Sequence, residues 1–336
     1  MTDPNHEYMT VRRDGAGVID LSSRGRTIVS GSEAVMFLNG LITNDMKTLS
    51  QHHWMPAAFP NVQGRLLAAV RVIRLNDKES ATFLLDTEAS SQQSVLKAIE
   101  RFTMAGDFHV TDVTSNTAMF SVQGREAIAL GQLVLGDVVS DLPRDGVAET
   151  TFDGISITVI RASHTAENGF DVMFDASYAN AISQAFAKAG VIRVSDATFE
   201  TLRIEAGVGL FGQDIDETNV ITETNLDDAV SFTKGCYIGQ EIIARIKYRG
   251  HVAKKLTGLL FDGKEPVAAG SKIKAPDGKE IGRITSSTFS PALDRAISLG
   301  YIRHEQLTPG TDVVVGESGA LAKVTDLPFV RGSWYT

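Results

Sequence analysis

Apolar and polar positions along the first part of the chain follow the periods of strands and helices in turn. Residues 18–21 and 27–29 are short runs rich in β-branched residues, which predicts two strands. Ser32 stands in the position of a helix cap. Apolar residues then recur at helical spacing, namely Ala34, Phe37, Leu38 and Leu41. Polar turn formers in residues 41–45 end this predicted helix.

The next segment predicts a hairpin. Residues 56–59 and 66–73 are apolar runs, and the turn formers of residues 61–64 join them. Three further elements follow, a strand at residues 83–85, a helix at residues 90–102 and a strand at residues 110–113. The buried face of that helix is expected to carry Val95, Ile99 and Phe102.

A similar order of elements recurs later in the chain. Residues 170–174 predict a strand, residues 178–189 a helix that Gly190 ends, and residues 191–194 a second strand. Two strand–helix–strand units favour a pseudo-duplicated α+β core, although any α+β chain contains such units. A further helix is predicted over residues 196–210.

The pattern changes after Gly250. Short apolar runs there alternate with turns rich in Gly, Pro and Asp, as in residues 275–278 and 307–310. This pattern is typical of a separate, small antiparallel β-barrel. With 336 residues, the chain is long enough for two or three domains.

Composition and charge narrow the classes of function. Hydrophobic residues make up 43% and charged residues 22%, as in globular proteins. The net charge of −9 disfavours stable binding to nucleic acid or to anionic membranes. Cys236 is the single cysteine, so no intramolecular disulfide forms and a reducing compartment is expected. No signal peptide or membrane span is visible, which predicts a cytoplasmic location.

Cys236 is the first candidate for chemistry. Gly235 and Gly239 frame it, and Lys234 and Arg245 lie near it in sequence, where their charges would lower the thiol pKa. Three functional roles for Cys236 are possible: a nucleophile, a redox thiol, and a ligand of a metal or cluster. The default structural interpretation is a small buried apolar residue. A single cysteine builds no four-cysteine site, so a cluster would need ligands from a second chain. No metal site is predicted within the chain, since the adjacent His52 and His53 point to opposite faces of a strand.

Three other features have both a functional and a structural interpretation. Residues 242–261 contain five basic residues and no acid, which fits an anionic ligand or a solvated strand face. Glu167 is an ordinary turn acid or an acceptor for an aminopyrimidine edge. Arg203 lies among apolar helical neighbours, so it needs Glu205, another carboxylate or a ligand as its partner.

Taken together, these segments resemble a known superfamily. The signature segment, residues 234–241, resembles the signature of the YgfZ-type proteins, as do residues 244–250 after it. These proteins are folate-binding relatives of the glycine-cleavage T-protein that take part in iron–sulfur enzyme maturation. The signature residues are Lys234, Gly235, Cys236, Tyr237, Ile238, Gly239, Gln240 and Glu241. Residues 41–45, 164–171, 202–207 and 284–301 resemble further parts of the superfamily, so the resemblance covers about residues 15–325.

The resemblance implies a fold and a ligand. The fold is α+β, with a T-protein-like region over residues 1–250 and a C-terminal antiparallel β-barrel over residues 251–336. The first region would divide into a subdomain of residues 1–115 with 195–250 and another of residues 116–194. Tetrahydrofolate or a derivative would lie in a central cavity. Its contacts would include Asn44, Glu167 at the pterin edge, Arg203, Tyr237 and Arg245.

One departure from the superfamily bears on the activity. The aminomethyltransferases carry aspartates on the strand after the hairpin, one of them essential, where this chain has Ala68 and Ala69. Alanine accepts no proton, so aminomethyl transfer is in doubt. The main hypothesis is a folate-binding, non-catalytic accessory to iron–sulfur enzymes, including enzymes that modify tRNA, and the alternative is a folate-dependent aminomethyl- or methyltransferase.

The partners expected under the main hypothesis are folate and iron–sulfur assembly proteins or client enzymes. Cys236 would then be the functional thiol, available to a transient iron–sulfur cluster shared with a partner. Direct tRNA binding is a third hypothesis. The basic residues of 242–261 are its only support, and the net charge of −9 opposes it.

Overall fold

The computed structural model describes residues 3–75, 80–102 and 106–336. A five-stranded antiparallel sheet, in the order β3-β4-β5-β2-β6, forms the first layer. Its strands are β2 (Gly25–Ser30), β3 (Trp54–Pro60), β4 (Leu66–Arg74), β5 (Thr82–Thr87) and β6 (His109–Asp112). Helices α2 (Ala34–Leu41) and α3 (Gln92–Glu100) cover one face of this sheet. Leu38, Val95 and Ile99 are fully buried there against Phe59 and Ala68.

A second sheet has six strands in the order β11-β1-β7-β10-β9-β8. The strands are β1 (Gly17–Asp20), β7 (Thr117–Gln123), β8 (Val147–Phe152), β9 (Ile155–Arg161), β10 (Gly169–Asp175) and β11 (Ile192–Arg193). Only β1 and β11 pair in parallel among these strands. The helices of this unit are α4 (Ala127–Leu135), α5 (Val138–Asp141) and α6 (Ala179–Lys188). By its residue numbers, strand β1 belongs to the first predicted subdomain. In the structure it pairs with strand β7 of the second sheet.

The remaining helices connect these layers. They are α1 (Pro4–Met9), a π-helical turn (Thr10–Asp14), α7 (Asp196–Glu205) and α8 (Gln240–Arg249). Short 3₁₀ turns complete the set: Ala89–Ser91, Thr114–Asn116, Ala176–Tyr178, Ile221–Glu223, Asp227–Ala229, His304–Gln306 and Ser333–Tyr335. An apolar cluster containing Tyr8, Ile73, Met119 and Leu202 packs the two sheets and α7 together.

The C-terminal strands close into a barrel, in the order β12-β15-β14-β13-β16-β17. They are β12 (Lys254–Phe261), β13 (Lys272–Lys274), β14 (Glu280–Ser290), β15 (Arg295–Arg303), β16 (Asp312–Val315) and β17 (Ala320–Thr325). Ile204 of α7 is buried against Leu256 and Leu299 of the barrel. The predicted α+β fold with a C-terminal antiparallel barrel is therefore confirmed.

Local expectations differ from the structure at several helix ends. Ser32 caps no helix, because its hydroxyl donates to Asp107 and α2 begins two residues later. Helix α3 ends at Glu100, which leaves Phe102 45% exposed rather than buried. Helix α7 ends at Glu205 because Gly207, at φ +71°, turns the chain out of the helix.

Two larger expectations also changed. Residues 242–249 belong to the segment interpreted structurally as a solvated strand face, but they lie in helix α8. Both strand–helix–strand units are present, yet their returning strands pair differently. Strand β6 is antiparallel to its neighbour β2, whereas β11 is parallel to β1.

Candidate functional site

Lys234, the first residue of the signature segment, ties that segment to the end of helix α2. Its buried ammonium donates to the carbonyls of Asn39, Ile42 and Asn44, with Nζ···O distances of 2.8, 2.9 and 2.6 Å. These carbonyls lie at the helix end, where a cation is favoured. Burial lowers the pKa of Lys234 to about 8. The ammonium therefore acts as a structural clamp and is turned away from solvent.

The rest of the segment packs against the β3–β4 hairpin. Gly239 has φ +76°, and a Cβ there would lie 2.4 Å from the carbonyl oxygen of Asn61. Only glycine allows this conformation and this close approach. Tyr237 is 8% exposed and belongs to the same apolar cluster as Ala58 and Leu66 of the two hairpin strands.

Cys236 lies on the outside of this segment. Its side chain is exposed, so the default expectation of a buried apolar cysteine is wrong. Gln240 donates to the carbonyls of Lys234 and Gly235 at 3.4 Å, and Glu241 and Arg245 are exposed on α8. Among the described residues, no group of three or more His, Cys, Asp or Glu side chains is arranged to hold a metal ion. The thiol is thus available to a partner.

Asn44 has a structural role in the same region. Its amide donates to the carbonyls of Pro56 and Asp228 at 2.8 and 3.0 Å. It thereby joins the turn after α2 to strand β3 and to the segment that leads to Lys234. The structure therefore brings together Asn44, Lys234 and Tyr237.

Glu167 lies elsewhere, under the C-terminal residues. It is 3% exposed, and its Oε1 accepts from Arg12 at 2.9 Å. Its Oε2 accepts from the amide and the hydroxyl of Ser333 at 2.8 and 2.6 Å. A ligand at this carboxylate would have to displace Ser333, and the predicted contact of Glu167 with a pterin stays a prediction.

Arg203 is 1% exposed and is already bonded within the protein. It donates to Glu200 at 2.5 Å, to Asp214 at 2.6 Å and to the hydroxyl of Ser286 in the barrel at 2.7 Å. Glu205 cannot be its partner, since residues two apart on a helix point to different sides. Glu205 instead accepts from Arg12 at 2.6 Å. The expected contact between Arg203 and folate also stays a prediction.

The two alanines of β4 point to opposite faces of the first sheet. Ala68 is fully buried in the core beneath α2 and α3. Ala69 is half-buried on the other face, opposite Ala58 of β3, where it packs against the cluster that contains Tyr237. Position 69 is thus the one at which an acid would face away from the helix-covered core.

Sequence reasoning missed a buried ionic cluster on that same face. Arg71, two residues after Ala69, forms ion pairs with Asp86 of β5 at 2.7 Å and Asp171 of β10 at 2.6 Å. Arg24 also pairs with Asp86, at 2.8 Å. The ring of His164 lies 3.1 Å from Asp171. This sheet-interface cluster links the two sheets, and the one signal in the sequence was an arginine within an apolar strand.

The cluster combines buried carboxylates with more accessible basic side chains. Asp86 and Asp171 have fully buried side chains, whereas those of Arg24, Arg71 and His164 are 14, 12 and 16% exposed. Burial by itself would raise the pKa of Asp171, but His164 and Arg71 outweigh it and hold that pKa below its usual range. Arg24 and Arg71 lower the pKa of Asp86 in the same way against the effect of burial.

The comparisons with known proteins cover nearly the whole chain. The model described as GCVT N-terminal domain matches residues 2–234. The model described as glycine cleavage T-protein C-terminal barrel domain matches residues 254–331. In the described residues, no helix is long and apolar enough to cross a membrane.

Three similar proteins illustrate the match. An aminomethyltransferase of Rubrobacter xylanophilus is 31% identical over 97% of this chain and 85% of its own. A probable aminomethyltransferase of Natronomonas pharaonis is 33% identical over 94% of this chain and 88% of its own. The crystal structure of glycine cleavage system aminomethyltransferase T from Bartonella henselae has a TM-score of 0.89, covering 98% of this chain and 90% of that one. At 24% identity, that structure shows the shared fold.

Proposed function

The chain belongs to the glycine cleavage T-protein family, and on that premise we propose that it binds tetrahydrofolate and acts as a folate-dependent aminomethyl- or methyltransferase. The main support for this proposal is that family models match both the N-terminal region and the barrel. Relatives at 31 and 33% identity, named as an aminomethyltransferase and a probable one, support the same activity.

The face of β4 that carries Ala69 and Arg71 is the best-supported place for the folate. The resemblance puts the acid of the aminomethyltransferases at about residue 68 or 69, and only position 69 faces away from the helix-covered core. Arg71, His164 and Asp171 lie on or beside this face, with the arginine and the imidazole partly accessible. All of these groups have protein partners, but the guanidinium of Arg71 and the imidazole of His164 remain accessible to a polar ring, whereas Glu167 and Arg203 are 3 and 1% exposed.

The residues on this face would bind and orient the folate. The ion pairs fix the guanidinium of Arg71 and the carboxylates in place, so few side chains need to be ordered when the ligand arrives. Alanine at position 69 removes proton transfer at that point. A transferase activity of this chain would therefore need another base or solvent, and a low rate is expected.

The experiment that tests transfer is turnover of tetrahydrofolate to its methylene form with a protein-bound aminomethyl donor. Formation of methylenetetrahydrofolate above the rate without protein supports the proposal. If folate binds but is not converted, the protein is a folate-binding protein and the proposed transferase activity is rejected.

A second candidate function is the folate-binding accessory to iron–sulfur enzymes. Two observations favour it, the alanines at positions 68 and 69 and the exposed thiol of Cys236. The narrower resemblance to the YgfZ-type proteins rests on residues 234–250 alone. In this candidate, Cys236 contacts a client enzyme or a cluster that the partner also ligates.

Complementation of a strain deficient in such an accessory tests the second candidate. Wild-type protein should restore the activity of an iron–sulfur enzyme, and Cys236→Ala should restore less of it while remaining folded. Val62→Ala, on the neighbouring hairpin turn and 76% exposed, serves as the matched control. Equal restoration by Cys236→Ala and wild type would reject a role for the thiol.

A further inference from the structure

A cavity of about 610 Å³ lies far from Cys236 in sequence and involves neither β4 nor the signature segment. The N-terminal helical turns, the start of α4, the loop that carries Glu167 and the C-terminal residues enclose it. Part of its wall is apolar, formed by Met9, Pro291, Ala292 and Val330. The proposed function places the folate on the β4 face instead, since Glu167, a predicted pterin contact that lines this cavity, is bonded to Arg12 and Ser333.

One of the four arginines that line the cavity is held by acceptors of the protein itself. Arg12 donates to Glu205 through Nε and Nη2, and to Glu167 and the carbonyl of Thr165 through Nη1. Its side chain is only 7% exposed. Arg12 therefore forms part of the floor of the cavity, and its protein partners take four of its five N–H donors.

The other three arginines, Arg13, Arg125 and Arg331, are exposed at the rim. In residues 3–75, 80–102 and 106–336, no carboxylate or carbonyl accepts a hydrogen bond from their guanidinium groups. The guanidinium of Arg331 lies over the ring of Tyr335, 5.8 Å from its centroid. Glu126 is the one acid at the rim among the described lining residues. Among the side chains at the rim, three arginines thus face one glutamate, in a chain of net charge −9.

Folding does not explain this arrangement, because like charges around one opening repel each other and form no internal pairs. We propose that the cavity binds a small organic dianion, a phosphate monoester or a dicarboxylate. Guanidinium groups bind both kinds of oxyanion through paired N–H donors. The apolar wall would contact the carbon body of the ligand, while Arg13, Arg125 and Arg331 would contact its charged groups.

Calorimetric titration of the full chain at low salt tests the proposal with two probes, phenyl phosphate and glutarate. At least one should bind, and its affinity should fall as salt is added. The triple variant Arg13→Gln, Arg125→Gln, Arg331→Gln should lose about tenfold or more in affinity, because charge-assisted hydrogen bonds are removed. The probe that binds more tightly identifies the phosphate or the carboxylate source.

Arg101→Gln is the matched control, since Arg101 is an exposed arginine that follows α3. It should bind the probe as wild type does. Thermal unfolding checks that the triple variant is folded, and if it is not, Arg125→Gln alone should lose about threefold. Absence of binding of both probes to the wild type, or equal binding by the arginine variants, would overturn the proposal. Tetrahydrofolate binding is measured separately, so either proposal can fail alone.

Discussion

The ammonium of Lys234 donates a hydrogen bond to the main-chain carbonyl of Asn44, with 2.6 Å between Nζ and O. The two residues are 190 positions apart in the chain. This bond joins the signature segment to the turn after α2, two segments that resemble the superfamily independently. The signature therefore has a structural basis, since it holds the α2 turn and the β3–β4 hairpin together while Cys236 stays on the outside.

Replacing Lys234 should destabilise the protein strongly. Lys234→Met removes the donor from one buried and two part-buried carbonyls, which should lower the free energy of unfolding by about 2–4 kcal/mol. Lys97→Met, on the exposed side of α3, should change it by less than about 0.5 kcal/mol. Urea unfolding measures both values, and equal effects of the two variants would contradict the structural role of Lys234.

The two glycines that frame Cys236 should respond differently to alanine. Gly239→Ala places a Cβ 2.4 Å from the Asn61 oxygen at φ +76°, so the free energy of unfolding should fall by about 1–3 kcal/mol. A Cβ at Gly235 meets no atom within 4 Å. Gly235→Ala should therefore fold with nearly unchanged stability. A reversed order in thermal unfolding would show that the segment does not pack on the hairpin.

Lowering the pH should reduce the stability of the protein, because it protonates carboxylates of the sheet-interface cluster. Asp86 and Asp171 have pKa values below those of the unfolded chain, so they stabilise the fold above about pH 4 and lose this effect as the pH falls further. At pH 6, Asp171→Asn should be less stable than wild type. Between pH 5 and pH 3, its free energy of unfolding should fall by less than that of wild type. Asp141→Asn, an exposed control, should keep the wild-type pH dependence. Identical slopes for Asp171→Asn and wild type in urea unfolding would contradict the assignment.

Aspartate should be tolerated at one of the two alanine positions of β4 and not at the other. Ala68→Asp buries a carboxylate in the helix-covered core and should cost about 3 kcal/mol or more. Ala69→Asp faces the side of Arg71 and should fold. If the missing acid limits transfer, Ala69→Asp should also form methylenetetrahydrofolate faster than wild type. Equal stability of the two variants would contradict the strand orientation.

Much of the fold was predictable because local pattern and tertiary structure agree. The hairpin at residues 61–64 and the C-terminal barrel follow from apolar runs separated by turn formers. Helix α8 was not predicted, because no clear turn signal separates residues 242–249 from the strand that follows. Their basic residues were therefore interpreted as part of one solvated strand face. Phe102 was misplaced because helix ends are poorly defined by periodicity.

The partners of buried charges were less predictable. Arg203 was expected to need a carboxylate. Glu200 lies one turn before it on α7, a local pair of helical spacing, whereas Asp214 reaches it only because the chain after α7 folds back. Arg71 meets Asp171 across two sheets and 100 residues of sequence, a distance over which no local pattern operates. Glu167 likewise contacts Ser333, 166 residues away.

Calorimetric titration with tetrahydrofolate tests the central claim, that this chain is a folate-binding member of its family. Wild type should bind one equivalent. Arg71→Met should bind more weakly, because the guanidinium beside the proposed site is lost, whereas Arg101→Gln should bind as wild type does. No heat of binding with folded wild-type protein at ligand concentrations up to about 1 mM, a range in which small-molecule sites are normally detected, would contradict the account.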